Sequence, residues 1–138
     1  MEPPPISDLA RLIATMAPQL RPGAWAWCAL PDAAALGDAR PVATLAEDEG
    51  LSVVVAEDEA LRRGWAIALR AAWITLRVHS DLHAVGFTAA LARALADAGI
   101  ACNVVAGVRH DHLFVPFERA DDALRALAAL QAGGAAGR

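Results

Sequence analysis

All four histidines of this 138-residue chain fall within residues 79–112, beside the polar residues best suited to grip a small molecule. The densest group is His110-Asp111-His112. In an extended strand, positions i and i+2 share a face, so two imidazoles at 110 and 112 can chelate one metal ion. A stable zinc site needs three or four ligands, and the remainder would have to come from His79, His83, Asp81 or a cysteine. The alternative is a turn that holds the two rings for hydrogen bonding. Asp111 has two readings as well: partner of a ligand's ammonium or guanidinium, or a turn residue between two strands.

A second chemistry belongs to Ser80–Gly86, where a strand pattern gives way to a helix pattern. Free backbone N–H groups at such a junction, with the positive end of the helix dipole, make a seat for a carboxylate. Ser80 and Asp81 can cap the helix, which does not exclude a ligand. Gly86 in a first helical turn costs about 1 kcal/mol against alanine, so either a close approach or helix–sheet packing must justify it. Asn103 opens the next strand and can bind a ligand's polar groups or tie the junction backbone. Cys102 and Cys28 sit in apolar runs, outside any CxxC pair, and read as reduced, buried thiols. No GxSxG, P-loop, GxGxxG or HExxH pattern is present, and no catalytic residue is assigned.

The elements that must position these residues follow from periodicity. Ser7 is a cap for a helix over residues 8–17, with Leu9, Leu12, Ile13 and Met16 as its apolar stripe and Pro18 as its end. Residues 24–30 alternate as a strand, Trp25 and Trp27 on one face, Cys28 and Leu30 on the other. A hairpin follows, with arms 42–47 and 51–55 around Asp48-Glu49-Gly50. Residues 57–63 form a short helix closed by Gly64, and residues 65–79 a long strand with Ile74, Leu76 and Val78 on its dry side. The pattern predicts a helix over 82–98 with Phe87, Leu91 and Leu95 inward, then strands over 102–107 and 112–116. A last helix begins at Asp121 and Asp122, and residues 133–138 form a loose tail. The second half reads β-α-β-β-α and the first α-β-hairpin-α-β. Both contain pieces of the split βαβ motif, and a shifted frame gives two units that exchange a strand.

Composition narrows the functional classes. Hydrophobic residues make up 57 % of the chain, yet Arg70, Arg77, Asp81, Arg93 and Asp97 interrupt the apolar regions before ~20 residues accumulate, so no membrane partner is expected. Met1-Glu2-Pro3-Pro4-Pro5 lacks the basic start and apolar run of a signal peptide, which predicts a cytoplasmic protein. Net charge is −4, and the twelve basic residues are scattered arginines, so no nucleic acid partner is expected either.

Within this frame, His79-Ser80, residues 82–90 (LHAVGFTAA), Gly99-Ile100, residues 103–107 (NVVAG), residues 110–116 (HDHLFVP) and the turn at 47–52 (EDEGLS) resemble the ACT domains. The likeness is nearest to a group of short bacterial ACT-domain proteins and extends to the regulatory halves of aspartate kinases. It departs from the group at His83, where an acidic residue is common, and at Val108 and Arg109, where aromatics are common. The resemblance implies an α+β fold of two ferredoxin-like βαββαβ halves in tandem, with antiparallel sheets and helices on one face. The halves would be residues 1–64 and 65–132. It also implies a non-catalytic sensor that takes a small molecule, an amino acid by preference, between modules, and a homodimer. The ligand-binding set expected on this basis is Ser80, Asp81, Leu82, Val85, Gly86, Asn103, Val104, Asp111 and His112, with no cofactor and no resident metal. A ligand-free dimerisation module is the alternative if Trp25, Trp27 and Trp73 form one patch. A metal-binding protein built on His110 and His112 is a further one.

Overall fold

The computed structural model describes residues 2–136. Asp8, not Ser7, caps the first helix, α1 (Leu9–Thr15), its side chain accepting from the Arg11 N–H at 2.9 Å. The chain then turns through Ala17, a non-glycine residue at φ 48°, into a three-residue strand, β1 (Pro18–Leu20). The sequence marks only a helix stop there, because three residues carry too little alternation to register as a strand.

β2 (Trp25–Leu30) leads through a short 3-10 turn to the hairpin of β3 (Ala43–Glu47) and β4 (Gly50–Ala56). Helix α2 (Glu57–Arg63) ends at Gly64 in the left-handed conformation, as the sequence indicates. β5 (Leu69–Leu76) is shorter than the expected 65–79 strand. Its sheet partners stop at Leu69 and Leu76, so alternation beyond those points finds no ladder.

Helix α3 spans Phe87–Asp97 rather than 82–98. Gly86 lies at φ 99°, a value no helical residue can hold, so it flanks the helix instead of opening it. β6 (Asn103–Ala106) and β7 (Asp111–Pro116) form the last hairpin. A 3-10 turn at Phe117–Arg119 precedes α4 (Ala120–Ala136), which starts before Asp121. It absorbs most of the expected tail. Residues 137–138 of that tail lie outside the described residues.

The strands make one antiparallel sheet in the order β3-β4-β2-β5-β7-β6, and β1 pairs with β5 off this path. β5 is shared by two ferredoxin-like units. Its first residues close the unit β2-β3-β4-α2 by pairing Leu69–Ala71 with β2, and the same strand opens the unit β5-α3-β6-β7-α4. The second unit takes its outer strand from the chain's N-terminus, where Pro18–Leu20 pair with Ile74–Leu76. Helix α1 travels with β1 and packs Leu12, Ile13 and Met16 into one core with Phe87, Leu91 and Leu95 of α3 and Leu127 of α4. Residues 9–20 therefore complete the C-terminal unit although they precede the whole N-terminal one. Each fully buried aliphatic or aromatic side chain there contributes about 1.5–3 kcal/mol, which fixes α1 in place.

Register assigns the two faces. Ala26 lies opposite Arg70, so Ala26, Cys28 and Leu30 share the helix-covered face with Ala72, Ile74 and Leu76. The other face carries Trp25, Trp27, Val54, Ala71, Trp73 and Phe114, and none of the described helices covers it. Across the small Ala71, the Trp27 and Phe114 rings meet edge-on at 5.5 Å, and Trp25 meets Trp73 edge-on at 4.8 Å. Contact between Trp27 on β2 and Phe114 on β7, over the intervening β5, requires the sheet to curl toward its bare side.

Candidate functional site

Two other segments hold the junction between β5 and α3. The Ser80 N–H donates to the Arg109 carbonyl at 3.0 Å, joining the junction to the β6–β7 turn. His110 Nδ1 lies 3.1 Å from the Val78 carbonyl and fastens the same turn. The N-terminal segment runs parallel beside them. The Ile6 N–H donates to the His79 carbonyl at 2.8 Å, and the Asp81 N–H to the Ile6 carbonyl at 3.0 Å. Ser7 Oγ donates to Asp81 Oδ2 at 2.6 Å, Arg109 pairs with Glu2 at 2.5 Å, and His79 Nδ1 lies 2.9 Å from the Pro3 carbonyl. No local pattern signals this strap, since its partners lie 73 or more positions away.

At the junction is a small cavity of about 70 Å³, lined by Ser80, Asp81, Leu82, Phe87, Thr88 and Asp111, among others. Phe87 and Thr88 begin α3, and Gly86 has no side chain with which to cap it, so first-turn N–H groups border this space. Asp111 is 7 % exposed. Burial pushes its carboxyl above the ordinary carboxylate range, opposed by the Ser80 hydroxyl and His110. Asp81, by contrast, is held low by the Ser7 hydroxyl and by the His83 N–H, which donates to Oδ1 at 2.8 Å. Both Asp81 oxygens are thus engaged in shaping the turn.

The other expected ligand residues are placed elsewhere. Val85 is 85 % exposed and does not line the cavity. Gly86 makes room for the start of α1: a Cβ there would lie 3.1 Å from Leu9 Cδ2. Asn103 pairs with Phe114 at the far end of β6, three residues from Ala106 and thus roughly 10 Å along the strand. Val104 packs against the helix-side core. His112 faces the bare side of the sheet, where its Nδ1 accepts from Trp73 Nε1 at 3.0 Å and lies 3.1 Å from Thr75 Oγ1. Alternation explains the separation: Asp111 and His112 are neighbours in one strand and so point to opposite faces. His110 and His112 are likewise committed to different partners. Among the described residues, no three His, Cys, Asp or Glu side chains converge as metal ligands.

No helix among the described residues is long and apolar enough to cross a membrane. Burial raises both thiols, Cys102 to about 11, which makes either a poor nucleophile.

Two family models described as ACT domain match the chain, over residues 4–71 and 69–129, and their overlap falls at the start of the shared β5. A Vibrio cholerae protein of unknown function, described as a possible transport protein, is 40 % identical with a TM-score of 0.80; the match covers 89 % of this chain and 95 % of that one. The ligand-free regulatory subunit of aspartate kinase from Thermus thermophilus shares the fold at 15 % identity and a TM-score of 0.67, over 85 % of this chain and 97 % of that one. An Agrobacterium tumefaciens protein shares it at 17 % identity and a TM-score of 0.65, over 83 % and 88 %. No curated protein matches the chain significantly. The chain belongs to the ACT-domain family, with two ACT domains in tandem.

Proposed function

We propose that this protein is a non-catalytic regulatory sensor that binds a small amino acid at the β5–α3 junction. One observation carries the reading: an α3 N-terminus without a side-chain cap borders the same cavity as the buried carboxyl of Asp111. First-turn N–H groups suit a carboxylate, and Asp111 with Ser80 suits an ammonium, so the two ends of a zwitterion find opposite partners. The space, about 70 Å³, takes a ligand's head group and directs any longer side chain outward. The two units that share β5 act as the paired modules, the protein works in the cytoplasm as a homodimer, and its signal passes to a partner protein.

A thermal-shift screen against the twenty amino acids tests the reading. A ligand at 100 times its Kd adds about 2.7 kcal/mol, a shift of several degrees for a domain this size. Asp111→Ala should abolish the shift while the variant stays folded; a shift unchanged in that variant moves the ligand elsewhere. A ligand-free dimerisation module is the second reading, favoured by the uncovered face of Trp25, Trp27 and Trp73. Light scattering on Trp27→Ala tests it, and a dimer of unchanged stability rules that face out.

A further inference from the structure

The two edges of the sheet, β3 and β6, border a single cavity of about 460 Å³ on the bare face. Curling of the sheet over Ala71 brings them to the same opening, so the sheet is an incomplete barrel with an apolar mouth. Its floor and walls include Trp27, Leu45, Val54 and Val105, and its volume lies in the range of small-molecule sites. Leu45 is 65 % exposed at the rim, a position without packing value in the free protein. Trp27 Nε1 is buried without a hydrogen-bond partner, so the ring is held by apolar contact alone.

Charge selects the ligand. Among the described residues, Glu47 is the one ionisable residue in the lining, and no arginine contributes to it. Ser52 Oγ donates to Glu47 Oε1, which orients the carboxylate and leaves Oε2 without a side-chain partner among the described residues. Apolar walls with a lone carboxylate in the lining suit a cation that carries an apolar body, through apolar contact along the groove and ionic attraction to Glu47. We propose that this groove is a second binding site, distinct from the junction cavity, for a small organic amine with an aromatic or aliphatic body.

The test is an NMR titration of the intact protein with 2-phenylethylamine, its neutral analogue 2-phenylethanol and its anionic analogue phenylacetate. Shifts should map to the Trp27 indole and the Leu45 and Val105 methyls, with the amine about three- to fivefold tighter than the alcohol and phenylacetate weakest. Glu47→Gln keeps the Ser52 contact and should erase the amine's advantage while leaving the alcohol unchanged. Three results overturn the proposal: phenylacetate binding as tightly as the amine, shifts confined to Ser80–Thr88 and Asp111, or no groove shift at millimolar ligand. A blocked Val-Thr-Val-Thr-Lys peptide that binds tighter and protects the β3 and β6 amides assigns the groove to a protein strand instead. Groove shifts that follow protein concentration rather than amine assign it to a second copy of the chain. Both of these also overturn the proposal.

Discussion

Trp73 Nε1 donates a hydrogen bond of 3.0 Å to His112 Nδ1, so the neutral imidazole keeps its proton on Nε2. The bond ties a histidine from β7 into the aromatic cluster on the bare face of the sheet. Arg21 lies over the other partner, its guanidinium carbon 4.1 Å from the Trp73 ring centroid. Burial lowers the His112 pKa, and His110, Arg21 and Arg77 lower it further.

A depressed folded-state histidine pKa means that the unfolded chain binds the proton more readily. The associated stability is present above the ordinary value of 6.5 and is lost as pH falls through the folded value. Urea denaturation of wild type against His112→Phe should therefore show a gap that changes in the variant's favour as pH falls below about 6.5. A gap independent of pH from 7.5 to 5 contradicts this.

Asp111 has the opposite sign. Its folded pKa is raised, so its contribution is fully present below the unfolded value and is lost as pH rises through the folded one. Asp111→Asn should be more stable than wild type at pH 7, with the gain shrinking toward pH 3.5. Calorimetry across that range checks it; a variant less stable at pH 7 would mean that the carboxylate is fully compensated in the native state.

Gly86→Ala should cost about 1–3 kcal/mol, because φ 99° strains an L-residue and the new Cβ would press on Leu9. Adding Leu9→Ala removes the steric part only. The double mutant should thus retain a penalty relative to Leu9→Ala alone, and full additive recovery in a double-mutant cycle would place the whole cost in packing.

Cys102, with its pKa pushed up to about 11, should react with a thiol reagent at pH 8 about 100 times more slowly in the native protein than in urea. Equal rates in the two states would show a thiol that is not held in the core.

Periodicity alone was enough to find α2, β2, the β3–β4 hairpin and the apolar stripes of α1 and α3, since each pattern repeats within a few residues. The tandem ferredoxin-like fold was legible through the resemblance to ACT domains, and adjoining strand, helix and turn signals marked the junction around Ser80, Asp81, Leu82 and Asp111. Tertiary structure decided the rest. That β5 serves two units and that α1 with β1 completes the far one depends on contacts between Pro18–Leu20 and Ile74–Leu76, which no local pattern encodes. Asn103 leaves the site because strand register, a pairing property, puts it opposite Phe114. His112 leaves it because a one-residue step in β7 reverses the face. The strap of Glu2–Ser7 over the junction, and the curl that brings β3 and β6 to one opening, arise from hydrogen bonds and packing between residues far apart in the chain. Local chemistry in the sequence specifies each element and its dry face. Which elements meet is set by the burial of those faces against one another, and that is settled only when the whole chain folds.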